Sequence, residues 1–334
     1  MKKKLFIIAG LLIAAVLAVG YFFYLRHSAD VPVNIISTGQ KIKIKDIKMF
    51  LKGFPAQSVN EDPRKYFSEE TINIYTVRFF KFLQTQIEFT SREDHLKAVK
   101  AYLHSVLDPQ KADEMFALYE KFIDYEIGLQ EKIKSWDHPK TADELLRFLQ
   151  TIQDYRRDVF GADVADALWG AEVMAREYSI RKNSIAADPN LYGAEKEKKI
   201  AALKEEMWGA DAGLIEDPPQ TDPEKYASYQ EKQIIYQKDL QELPEEQRLG
   251  KIRDFRKEYF SADQMARLEQ VDAELAAERT KEADYYAREK AIMTNPEFDD
   301  EQKAQAIRTL QDHTFGEEAD AFRRRQAINK GLKN

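Results

Sequence analysis

Four aromatic residues, Phe160, Trp208, Phe260 and Phe315, each close a stretch with the same helical signature. Eight positions earlier stand Ile152, Ile200, Ile252 and Ile307, and five positions earlier stand Tyr155, Leu203, Phe255 and Leu310. These offsets place each trio on one face of an α-helix. Gly161, Gly209, Ser261 and Gly316 follow the aromatics directly. Such residues end one helix or cap the next. Asp163, Asp211, Asp263 and Glu318 come three positions beyond the aromatics, where a first-turn acid favours the helix dipole. The unit therefore reads helix, aromatic anchor, small cap, helix, and Val99, Tyr102 and Leu107 before Asp108-Pro109 form a weaker fifth copy. The anchors are 48, 52 and 55 residues apart (160 to 208, 208 to 260, 260 to 315), too irregular for a strict solenoid.

From residue 64 onward the 3.6-residue period dominates, and the expected fold class is all-α. Charged residues make up 33% of the chain, so amphipathic helices with short connections bury little core per residue, and an extended, arm-like array is expected. Thirteen glycines in 334 residues are too few for a turn-rich all-β fold. Residues 213–224 (GLIEDPPQTDPE) break the helical pattern, because Pro218, Pro219 and Pro223 exclude a continuous helix. They are expected to form a hinge or elbow, with a plain surface loop equally allowed.

The N-terminus is a separate matter. Lys2, Lys3 and Lys4 precede an uncharged run over residues 5–25 that ends in Tyr21, Phe22, Phe23 and Tyr24 before Arg26. As a helix this run spans ~31 Å at ~1.5 Å per residue, about one hydrocarbon core. A cleaved signal peptide usually has a shorter apolar stretch and a small-residue cleavage site, so the run is read as an uncleaved single-pass anchor. The three lysines put the N-terminus in the cytoplasm and the bulk of the chain outside it. The absence of Cys suits a bacterial periplasm and excludes thiol chemistry, disulfides and Cys-ligated metal. Lys41-Ile42-Lys43-Ile44-Lys45 alternates with period two, compatible with a short strand or a solvated charged stretch.

No catalytic constellation stands out. His27, His95, His104, His138 and His313 include no pair at the spacing of a zinc helix, so no metal or cofactor is expected. Neither a nucleophile elbow nor a phosphate-binding glycine loop is present, and a net charge of −7 argues against a nucleic-acid binder. The acidic pairs Glu205-Glu206, Glu245-Glu246, Asp299-Asp300 and Glu317-Glu318 read as solvated faces or dipole partners. The run Arg323-Arg324-Arg325 suits the C-terminal end of a helix. The residues alone describe a membrane-tethered helical binding protein and no enzyme.

The ordered segments YEKFIDYEIGL (119–129), RRDVFGADVADALWGAEVMAREYSI (156–180), RKEYFSADQMARLEQVDAEL (256–275) and MTNPEFDDEQKAQAIRTLQDHTFGEEADAFRRRQAI (293–328) resemble the lipase-specific foldases, or lipase chaperones. The resemblance implies an inner-membrane protein with a periplasmic helical clamp, in which two small domains joined by an extended arm wrap a secreted lipase or related exported hydrolase. Such a steric chaperone works without ATP. The implied layout is an anchor at 1–26, a linker at 27–63, a first small domain at 64–130, an arm at 131–255 with its elbow at 213–224, and a second small domain at 256–334. The family motif R-x-x-F-D-Y-[FC]-L-[ST]-A aligns with residues 76–85, TVRFFKFLQT. Phe79, Phe82 and Leu83 match it and are implied client-binding or activation residues. Thr76, Phe80, Lys81 and Gln84 depart from it. By periodicity alone the three matching residues read as helix core. A non-catalytic adaptor that tethers another exported protein to the membrane is the alternative function.

Overall fold

A computed structural model describes residues 42–52, 72–87 and 91–331, and these residues form α-helices and short 3-10 segments with no strand among them. The helices are α1 (Ile44–Leu51), α2 (Ile74–Gln86), α3 (Arg92–Val106), α4 (Pro109–Ser135), α5 (Ala142–Phe160), α6 (Ala162–Ala187) and α7 (Gly193–Trp208). A 3-10 segment over Gly209–Leu214 leads to α8 (Asp222–Ile235), α9 (Gln237–Glu242), α10 (Glu245–Tyr259), α11 (Ala262–Met293) and α12 (Asp300–Phe315). A second 3-10 segment, Gly316–Glu318, precedes α13 (Ala319–Gly331). The chain divides into two compact units, Met1–Lys251 and Ile252–Asn334, and the division falls inside α10. The apolar run at 5–25 lies outside the described residues, and no described helix is long and apolar enough to cross a membrane.

In the first unit, α1, α2, α5, α7 and α8 all pack on α6, while α3 packs on α4. Gly161, at φ 82, ends α5 and begins α6 with no intervening loop, so the two helices fold into a hairpin. At the other end of α5, Thr141 and Glu144 form a reciprocal capping box. Asp108 caps α4 through Lys111 N–H, with Pro109 at the first helical position. The core formed by α2 to α6 is aromatic: Phe79, Phe80, Tyr119, Phe122, Phe160 and Trp169 are all buried.

The period-two stretch is not a strand. Ile44 begins α1, and Ile44, Ile47 and Leu51 recur at helical spacing. Ile47 is buried beside Ala171 and Ala175 of α6, and Ile42 crosses α6 at Gly170, where a Cβ would come within 2.6 Å of its methyl. Part of the segment expected as a linker at 27–63 is therefore a packed helix. The alternation at 41–45 hid it because a helix this short offers only two apolar turns.

The second unit closes on a small aromatic cluster. Phe315 and Phe322 stack with ring centroids 3.9 Å apart, and Tyr285 meets both edge-on. Ser261 and Gln264 form a capping box at the start of α11, and Gly316 ends α12 at φ 55. The small residue after each aromatic anchor thus sits at a helix junction in every copy.

Candidate functional site

Helix α2 carries the motif positions. Asn73 accepts a hydrogen bond from Tyr75 N–H, and the Thr76 hydroxyl oxygen accepts one from Asn73 N–H at 3.1 Å, which fixes the first turn. Thr76, Phe79, Phe80 and Leu83 then form one buried face. Phe80 lies 5.2 Å from both Tyr119 and Phe122 of α4, ring centre to ring centre. Phe82 is half-buried against the same core. At the rim, Lys81 and Gln84 both donate to the Glu126 carboxylate of α4, and Lys81 also stands 5.5 Å over the Phe122 ring. The departures from the motif are thus absorbed by packing. Thr76 is a helix cap, Phe80 is core, and Lys81 ties α2 to α4.

Behind this face lies a buried polar network. Arg156 donates to the Tyr125 hydroxyl at 2.9 Å and covers the Trp169 ring at 4.7 Å. Asp166, buried on α6, accepts from Gln153 at 2.8 Å and from both ends of the Arg157 guanidinium fork at 3.2 Å. These bonds satisfy the charges that burial would otherwise penalise, and they lock the α5–α6 hairpin on both sides of Gly161. Burial pushes the Tyr119 phenol upward and the His95 imidazole downward, and the two share a hydrogen bond of 2.6 Å.

The Pro-rich segment is fastened to the body of the first unit. Ile215 is buried with Ile47, Ala171 and Ala175. Glu216 accepts from the Tyr178 hydroxyl at 2.9 Å and from Lys182 at 2.7 Å, and Lys204 reaches it as well. Asp217 takes Lys48 of α1 and Lys52, which caps the C-terminal end of that helix. Desolvation pushes the Glu216 carboxyl up, but Lys182 and Lys204 outweigh it and hold the group down at about 2. On α6, next to Tyr178, burial raises Glu177 to about 7, only partly countered by Arg181. Residues 213–224 therefore form a strap across α1, α6 and α7, and both flanking helices belong to the first unit.

The aromatic anchors are distributed rather than gathered. Phe160 joins the α2 core, 5.2 Å from Trp169 and 5.3 Å from Tyr125. Trp208 packs 4.8 Å from Tyr178, near the strap. Phe260 is half-buried and Phe315 is buried, both in the second unit. Sequence reasoning did not reach Glu126 as the partner of Lys81, nor Glu216 and Asp217 as strap fasteners. No local pattern carries pairings across 45 or 169 residues. The Asn73–Thr76 box, by contrast, has a local signature.

Surface, shape and ion pairs are what this arrangement offers, in the manner of a helical binding protein. The chain belongs to the lipase chaperone family: the family described as "Proteobacterial lipase chaperone protein" matches residues 118–320. It is similar to a lipase chaperone of Acinetobacter venetianus, 24% identical over 231 residues, which is 67% of this chain and 62% of that one. It is also similar to a lipase chaperone of Chromobacterium violaceum, 24% identical over 205 residues, 61% of this chain and 62% of that one. The chain is thus matched to less than two thirds of each relative's length. No solved structure matches. Helix α2 and the motif positions lie before the family match begins.

Proposed function

We propose that this protein is a membrane-anchored periplasmic foldase that assists the ATP-independent folding of a secreted lipase or related exported hydrolase. The observation that carries this reading is the family match across α4 to α13, over which the capped helical units repeat. Residues 5–25 would hold the chain in the inner membrane as a single pass with the N-terminus in the cytoplasm, as the flanking lysines favour. The client would be bound by surface complementarity spread over many helices, a mode in which preorganisation of the binder limits the entropy lost on association. The matching positions Phe79 and Leu83 act here by shaping α2, while half-buried Phe82 is the one of the three matching residues nearest to solvent.

A second reading is favoured by one observation. Thr76, Phe80 and Lys81 differ from the activation motif and are used for packing within the unit. An adaptor that tethers an exported protein without activating it would need only the binding surface. Two experiments test these readings. Protease treatment of intact spheroplasts should degrade the chain while sparing a short N-terminal fragment; full protection would remove the proposed topology. Affinity capture from periplasm should recover an exported lipase or hydrolase as the main partner. An envelope-assembly component in its place would favour the adaptor.

A further inference from the structure

The second unit contains a cleft that its aromatic cluster does not fill. It has a volume of about 540 Å³ and lies between α11 and α12, lined among others by Thr280, Lys281, Asp284, Arg288, His313 and Thr314. Tyr285 forms its floor, held by Gln311 at 3.0 Å and by its own bond to Glu289 at 2.9 Å. Lys281 is anchored at the rim, 3.4 Å from Glu278 and 5.1 Å over the Phe315 ring. Among the described residues, Arg288, His313 and the Thr314 hydroxyl have no hydrogen-bond or ion-pair partner. An exposed guanidinium, an imidazole in the last turn of α12 and a free hydroxyl thus face one space.

We propose that this cleft is a subsite for a carboxylate, supplied by an acidic side chain of the bound client. Lys281 is already paired with Glu278, so Arg288 is the lining cation left to meet a monoanion. A guanidinium takes a carboxylate through two parallel hydrogen bonds, and Asp284 beside it disfavours a dianion such as phosphate. The volume far exceeds that of a free carboxylate and admits a side chain together with its backbone. The proposal rests on the reading of this chain as a client-binding protein.

Peptide titration tests the subsite without any client, so failure here and failure of that reading are separate results. Full-length protein is titrated with acetyl-Ala-Glu-Ala-amide, its Gln counterpart and inorganic phosphate, and binding is read by calorimetry and by the His313 ring NMR signal, assigned by loss in His313→Gln. The Glu peptide should bind and shift that signal. The Gln peptide should bind about tenfold more weakly, and Arg288→Gln should remove the difference between them. Asp284→Asn should strengthen binding of the Glu peptide. Equal binding of the Glu and Gln peptides, or an Arg288→Gln protein that still discriminates, overturns the proposal. Phosphate binding more tightly than the Glu peptide overturns the carboxylate assignment. All three substituted residues are exposed, so each variant is expected to fold.

Discussion

At the scale of single residues, burial decides which aromatic anchors matter. Phe315 is 5% exposed and stacked on Phe322, so Phe315→Ala should cost about 3–5 kcal/mol of stability. Phe260 occupies the equivalent place in its own copy of the unit but is half-buried, so Phe260→Ala should cost clearly less. Thermal unfolding of both variants checks the order; equal losses would mean that position in the repeat, not burial, sets the cost. Titration gives a second prediction. Glu177 rises from 4.5 to about 7 on folding, so between those values the native state holds a proton that the unfolded chain releases. Its contribution is fully present below 4.5 and is lost as pH rises through about 7. Glu216 does the opposite: its contribution is present above 4.5 and is lost as pH falls towards about 2. Replacing Glu177 with Gln should therefore flatten the decline in denaturation midpoint between about pH 5 and about pH 8. An unchanged slope would show that Glu177 titrates alike in both states.

At the scale of elements, junction glycines set the turns between helices. Gly316 has φ 55 and ψ −123, a region that side-chain-bearing residues avoid, so Gly316→Ala should cost about 1–3 kcal/mol without changing any contact. A midpoint shift of that size under denaturant, with an unchanged m-value, is the expected result. Gly193 is a different case, because a Cβ there would sit 2.2 Å from the Tyr236 ring. Gly193→Ala must displace the Tyr236 ring, so it should cost much less in a Tyr236→Ala background, where Cγ, Cδ1 and Cε1 are all absent. The helices and their junctions were legible because both leave local marks: the −8, −5, 0 apolar face, and a Gly or Ser after each aromatic. Helix α1 was not, since two apolar turns are easily mistaken for alternation. From the sequence the strap is a hinge or elbow, or equally a plain surface loop, because Pro218, Pro219 and Pro223 report a break in helicity and nothing of what fastens it. What holds it is long-range pairing of Glu216 and Asp217 with lysines on α1, α6 and α7, and no periodicity reports such pairing.

At the scale of the whole molecule, the chain is a member of the lipase chaperone family, helical among the described residues, and the family match begins within α4, beyond α2 and its motif positions. Phe79 and Leu83 were legible both as motif matches and as helix core, and the structure places both in the core. The motif's polar positions are here filled by a cap, a core ring and an interhelical ion pair, so on the proposed reading client recognition falls to the rest of the surface. Single substitutions at Phe82 should then change client recovery only a few-fold, about 1 kcal/mol in activation free energy. The most direct test of the central claim is recovery of lipase activity when a denatured client lipase is refolded with and without the full-length protein, in the absence of nucleotide. Recovery should rise with added protein and saturate near one chain per lipase. Recovery no greater than with an unrelated helical protein at the same concentration would contradict it.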